Sequence, residues 1–243
     1  MKLFLARIRN RWLQARMKGR SIADLARDNL SALDYIDVNK DARSFGYVVV
    51  DLETTGLNLK YDQVLSIGAF RVVNARIKLG DMFNRLVNPG RYLHPESIKV
   101  HEIVPDMLSE ASPLSAVLDD FLDFLGTDIL VAHYAAFDLH FLNTSMRKKY
   151  GFPLQNLVLD TIPLCRNIAF PPHHYPYGID LNSLPSSLDE IAKHFGIDIF
   201  QRHTAIGDAL ATAMILQRVI ARSEKIGQGL LKDLIKAGAL FLS

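Results

Sequence analysis

Apolar and polar positions change their period along the chain, and the changes mark its elements. Up to residue 43 the composition favours helix, and Met1, Phe4, Leu5, Ile8 and Trp12 fall roughly on one helical stripe, with Arg and Lys largely around it. From Tyr47 the pattern becomes strand-like in three segments, 47 to 53 (YVVVDLE), 64 to 73 and 75 to 87, whose short links predict a meander. A mixed stretch around 97 to 109 contains Pro105. Ser112-Pro113 then opens a helix to Leu125, with Ser as N-cap and Pro in the first turn. DILVAH at 128 to 133 reads as a buried strand, followed by a helix from about Phe137 to Tyr150 and a short strand at 157 to 161. Ser187 and Glu190 form a capping-box pair, and Gly196 suits the stop of that helix. Thr204 caps an apolar helix running to about Ala221, and Gly229 to Leu240 has the pattern of a short amphipathic helix. A meander followed by alternating helices and strands predicts an α/β fold with a mixed five-stranded sheet flanked by helices.

The chain therefore divides into a basic helical extension (1–43), a core domain (44–221) and a C-terminal tail (222–243). Deleting 1–43 is expected to leave the chemistry intact. Residues 167 to 186 interrupt the alternation with four prolines, two histidines and two tyrosines, the composition of a long loop that either contacts substrate or runs over the surface.

Charge sharpens this division. Residues 1 to 20 hold seven Lys and Arg and no acid, which leaves the remaining chain at −5 against a total of +2. The body would not attract a polyanion by its bulk field, so affinity for nucleic acid must come from a local site, bound cations or the basic arm. A docked helix, a phosphate-contacting arm, a membrane-surface helix, a partner-binding helix and an organellar transit peptide are all compatible with residues 1 to 20. No apolar run is long enough for a transmembrane helix and no secretory signal is visible, so a cytoplasmic location is expected. The single cysteine, Cys165, excludes an internal disulfide and a cysteine-based zinc cluster.

Chemistry concentrates at strand ends. Asp51 and Glu53 sit two apart at the end of an apolar strand, so both point to one sheet face. Like charges about 4 Å apart repel by about 4 kcal/mol at an effective dielectric near 20, so such a pair needs protons, cations or solvent. Asp138 follows a buried strand, where α/β sheets place ligand-binding groups; by itself it also suits a helix N-terminus. His203 and Asp208, five apart, would lie about 140° from each other on a continuous helix. With Thr204 as the cap, His203 falls on the preceding loop and Asp208 on the first turns.

In order and local context, Asp51, Glu53, Asp138, His203 and Asp208 resemble the DEDDh group of DnaQ-like 3′-to-5′ exonucleases. The matching segments are VVVDLETTGL at 48 to 57, HYAAFD at 133 to 138 and HTAIGDA at 203 to 209, with SIKVHEI around His101 also similar. The chain looks most like the exonuclease (epsilon) subunit class of bacterial DNA polymerase III. The resemblance implies a ribonuclease H-like fold. It implies two Mg²⁺ or Mn²⁺ ions on Asp51, Glu53, Asp138 and Asp208, with His203 as general base. It also implies substrate contacts from Thr54, Thr55 and Leu57, with Leu57 against the terminal base, although ordinary packing of Leu57 is an alternative. Single-stranded or frayed DNA 3′ ends are the expected substrate, RNA the alternative, and a DNA polymerase a candidate partner. A non-catalytic polymerase-associated module is a third reading, against which the five polar positions speak. Many relatives have Asn where this chain has Tyr134, a ring able to stack on a base or exclude a sugar, which bears on nucleotide preference.

Overall fold

The computed structural model describes residues 2–18, 24–93, 95–170 and 184–240. Most of the Pro-rich stretch expected as a loop lies outside them. The chain opens with α1 (Lys2–Met17) and α2 (Asp24–Ser31), then a short 3₁₀ segment, Ala32–Tyr35. Strands β1 (Gly46–Thr54), β2 (Val64–Val73) and β3 (Arg76–Leu86) follow as the antiparallel meander. The short helices α3 (Pro95–His101) and α4 (Pro105–Leu108) fill the mixed stretch and lead to α5 (Leu114–Leu125). Next come β4 (Ile129–Ala132), α6 (Ala135–Tyr150), β5 (Val158–Asp160), α7 (Thr161–Leu164), α8 (Leu188–His194), α9 (Ala205–Lys225), α10 (Leu231–Gly238) and β6 (Ala239–Leu240).

The sheet has the order β3-β2-β1-β4-β5-β6, with β4 and β5 parallel to β1. It is the mixed α/β sheet flanked by helices that the pattern predicts, with one strand more. The extra strand, β6, pairs antiparallel with β5 through only two residues, too few to show any period in the sequence. It caps the β5 edge with residues that the tail was expected to hold as helix. A second difference lies at α5, whose cap position is Pro113 rather than Ser112. The Ser112 carbonyl instead accepts from the Asn88 backbone N–H at 3.0 Å, within an isolated bridge between Asn88 and Pro113.

Strand β1 is central, and its run of valines is buried on both faces, as continuous β-branched runs of inner strands are. Val48, Val50 and Leu52 face α5 and α6, packing with Phe121, Leu139 and Leu142. Tyr47 and Val49 face α9, packing with Ala211, Ile215 and Val219. The next residues on this second face are Asp51 and Glu53, so hydrophobic packing itself aims the two acids.

Phe4, Leu5, Ile8 and Trp12 are exposed, whereas Asn10 and Met17 on the opposite side of α1 are buried. The apolar stripe read from the sequence is thus not the docking face. Moreover, Ala26 and Leu30 belong to one core cluster and Leu33, Ile36 and Ala42 to the other, so no boundary in packing falls at residue 43. Among the described residues no helix is long and apolar enough to cross a membrane.

Candidate active site

The site begins with a close approach of α9 to the sheet. Gly68 of β2 lies directly opposite Asp51 of β1 and shares its face. A Cβ at Gly68 would stand 2.3 Å from the Ala205 carbonyl carbon, so only glycine lets the first turn of α9 rest on the strand. Thr204 caps that turn, its hydroxyl accepting from Gly207 N at 3.1 Å. Asp208 then projects toward β1. Carboxylate oxygens of Asp51, Glu53 and Asp208 lie within 4.8 Å of one another, the one such acidic group among the described residues.

Asp138 lies outside that group. It is buried on the first turn of α6, where burial raises its pKa against the pull of the backbone N–H groups of Asp138 itself and of Leu52, which lies between the two acids of β1. Its charge still reaches the site, because it is the strongest like-charged neighbour of Asp51. Burial, followed by the charges of Asp138, Asp208 and Glu53, pushes Asp51 well above the usual carboxylate range. Glu53 is raised to about 8, first by burial and then by Asp208. Burial also raises Asp208, against the pull of Arg202 and His203. Asp208 Oδ1 is buried without a hydrogen-bond partner. Three carboxylates converge, one of them with an unsatisfied buried oxygen, and no thiolate takes part. Such a donor set fits hard divalent cations.

An arginine that the sequence reading missed supplies a counter-charge. Arg202 donates through Nε and Nη2 to Asp189 at 2.9 and 3.1 Å, and through Nη1 to Asp208 Oδ2. It lowers the pKa of Asp51, Glu53 and Asp208 and ties α8 to α9. Nothing in its sequence position distinguishes it from a surface arginine beside the motif. His203, adjacent, is exposed, with its backbone at φ 61° and that of Gln201 at φ 56°. Two left-handed non-glycine residues in three positions are a costly conformation, which puts the imidazole on the loop beside Asp208 rather than on α9. His203 Nδ1 stands 3.3 Å from Arg202 Nη1.

The remaining sequence candidates lie around the carboxylates. Thr54 and Thr55 are buried and shape the turn after β1. Thr54 Oγ1 donates to the Gly56 carbonyl and Thr55 Oγ1 to Asp62 Oδ1, each at 2.7 Å. Leu57, carried on that turn, is 84% exposed, which removes ordinary packing as its explanation. Tyr134 is 61% exposed and sits left-handed at the N-cap of α6, a conformation that Asn adopts more readily. Asp160 at the end of β5 holds this turn in place. It accepts from Ala135 N and Ile162 N, each at 2.9 Å. Its position at the carboxyl end of a parallel strand was the available signal for it. His133, against Thr161 Oγ1 at 2.9 Å, is lowered to about 4 chiefly by burial and so is neutral near pH 7. Phe200, 74% exposed, adds an aromatic ring close in sequence to His203.

Residues 48–216 match the RNase_T family model, described as exonuclease. The chain belongs to this exonuclease family. It is 34% identical over 200 residues to DNA polymerase III PolC-type of Staphylococcus haemolyticus, covering 82% of this chain and 13% of that protein. To its counterpart from Staphylococcus aureus it is 36% identical over 190 residues, covering 78% and 12%. This member of the family thus spans about an eighth of the length of these curated relatives. The kinship includes PolC-type polymerases and is not specific to the free epsilon subunit that the motifs suggested. Among solved structures, the nuclease domain of 3′hExo, a DEDDh family member bound to rAMP, superposes with a TM-score of 0.62 at 18% identity, over 79% of this chain and 97% of that one. Exonuclease X in complex with 5′ overhanging duplex DNA gives 0.56 at 20% identity, over 77% and 99%. The fold is therefore the ribonuclease H-like exonuclease fold.

Proposed function

We propose that this nuclease removes nucleoside monophosphates one at a time from the 3′ ends of single-stranded or frayed DNA, with two Mg²⁺ or Mn²⁺ ions. The observation that carries the reading is the convergence of Asp51, Glu53 and Asp208 from β1 and α9 within 4.8 Å. With Asp138, buried nearby and acting on Asp51 through its charge, they would hold the ions. When bound, such a pair supplies an activated water and a stabilised leaving 3′ oxygen for in-line displacement at phosphorus. His203 takes the proton of the attacking water; its Nδ1 faces Arg202, which leaves Nε2 for the transfer. Leu57 and Tyr134, apolar and exposed on two turns around the acids, stack against the terminal nucleotide. The identity to PolC-type polymerases supports DNA as substrate and action beside a polymerase.

The deciding experiment is a time course with matched 3′- and 5′-labelled DNA and RNA oligonucleotides, with and without Mg²⁺. The expected result is stepwise shortening from the 3′ end of DNA that stops on chelation and resumes when the ion is returned. Shortening from the 5′ end, or full activity in excess chelator, excludes the mechanism. Faster turnover of RNA would reassign the substrate and leave the chemistry standing.

A further inference from the structure

Helix α1 carries two apolar faces and uses one. Its inward face docks through Met17 and Leu13, by hydrogen bonds from Gln14 Nε2 to the Leu30 carbonyl at 2.7 Å and from Asn10 Nδ2 to Gln155 Oε1 at 3.1 Å, and by a contact from Arg7 to the Ile36 carbonyl. At about 100° per residue, Phe4, Leu5, Ile8 and Trp12 fall within an arc of about 100° on the opposite side. They are 67%, 55%, 50% and 62% exposed. Arg9 and Arg16 border this arc on one side, Arg11 and Lys18 on the other, and all four are exposed. Residues 2–18 contain no Asp or Glu. An exposed apolar arc between two basic edges, with a tryptophan in it, is the pattern of a helix lying in a membrane interface.

We propose that α1 binds the surface of an anionic bilayer through this arc, with Phe4, Leu5, Ile8 and Trp12 entering the headgroup boundary. The flanking cations pair with lipid phosphates. Charge argues for this occupant over the alternatives. A second copy meeting the same face would bring one set of cations against another, as a two-fold contact requires. A nucleic-acid backbone would satisfy the cations but leave Leu5 and Ile8 in water, whereas a lipid surface takes both. The rest of the chain is acidic, so approach to such a surface is directed to this end of the molecule. Helix α1 packs beside Gln155, ahead of β5, whereas the carboxylates gather at the carboxyl-terminal part of β1. Adsorption therefore leaves the hydrolytic site open.

Trp12 is the only tryptophan of the chain, so its emission reports on this face directly. The 243-residue chain is titrated with vesicles of phosphatidylcholine alone and with vesicles containing one-third phosphatidylglycerol, with co-sedimentation in parallel. A blue shift and co-sedimentation with the anionic vesicles only, reversed by salt, are expected. Ile8→Glu should abolish both without loss of nuclease activity. Arg11→Gln with Lys18→Gln should weaken binding roughly tenfold to thirtyfold, at about 1 kcal/mol per cation. No shift with anionic vesicles overturns the proposal. So does equal binding to neutral vesicles, a dimer in light scattering that Ile8→Glu dissolves, or a Trp12 response to single-stranded DNA that displaces the vesicles.

Discussion

Glu53, raised to about 8 from an ordinary 4.5, links the site to stability. Between these values the folded chain keeps a proton that the unfolded chain releases, so without divalent ions stability falls as pH rises through that window. Asp51 and Asp138 are shifted in the same direction. Melting in chelator should show Tm falling across the window and Glu53→Gln reducing the slope; a flat profile would contradict the electrostatics described. Added Mg²⁺ should raise Tm most at the alkaline end, where the carboxylates are free of protons. Arg202 opposes the same repulsion, so Arg202→Gln should lower Tm in chelator and reduce several-fold the Mn²⁺ concentration needed for half-saturation, measured by calorimetry. His203→Ala should cost about 10²- to 10⁴-fold in kcat while that Mn²⁺ affinity stays near wild type. Unchanged kcat would remove His203 as the base. At Tyr134 the left-handed backbone costs an L-residue about 1 to 2 kcal/mol, and Asn less. Tyr134→Asn is expected to gain about 1 kcal/mol in denaturant melts and to shift the ratio of DNA to RNA turnover.

At the scale of elements, the distance between α9 and β2 decides whether the acids meet. An ordinary contact for a Cβ begins at 3.4 Å, whereas Gly68 would offer 2.3 Å, so Gly68→Ala must push the start of α9 away by about 1 Å. A misplacement of that size costs about 10²-fold in rate. Gly80→Ala, with nothing within 4 Å, is the matched control and should leave kcat unchanged. Most elements were legible because their signals are local: the valine run of β1, the capping box of Ser187 and Glu190, and the Thr204 cap that separates His203 from Asp208. Gly68 was not, since a glycine inside an apolar strand pattern looks the same whether or not a helix lies on it.

For the whole molecule, the N-terminal segment changes most between pattern and fold. Ala26, Leu30, Leu33, Ile36 and Ala42 are shared out between the two core clusters, so removing residues 1–43 strips both. Large core losses cost about 2 to 5 kcal/mol each when a side chain is cut to Ala. The truncated chain is therefore expected to be largely unfolded by circular dichroism, contrary to the dispensable arm that composition suggested. A folded, active truncation would show that residues 44–240 hold together without it.

By itself the sequence determined the exonuclease family, the α/β class and the candidate residues of the site. Those follow from short-range regularities: alternation along strands, caps at helix ends, and acids at fixed offsets from apolar runs. Tertiary structure decided which acids share a locus, that Asp138 stands outside the closest group, and that Arg202 is a counter-charge to them. It also decided which face of α1 is buried. Periodicity identifies a stripe of side chains but not its neighbour; here hydrogen bonds from Gln14 and Asn10, with Leu13 and Met17, hold one face inward and leave the more apolar one outside.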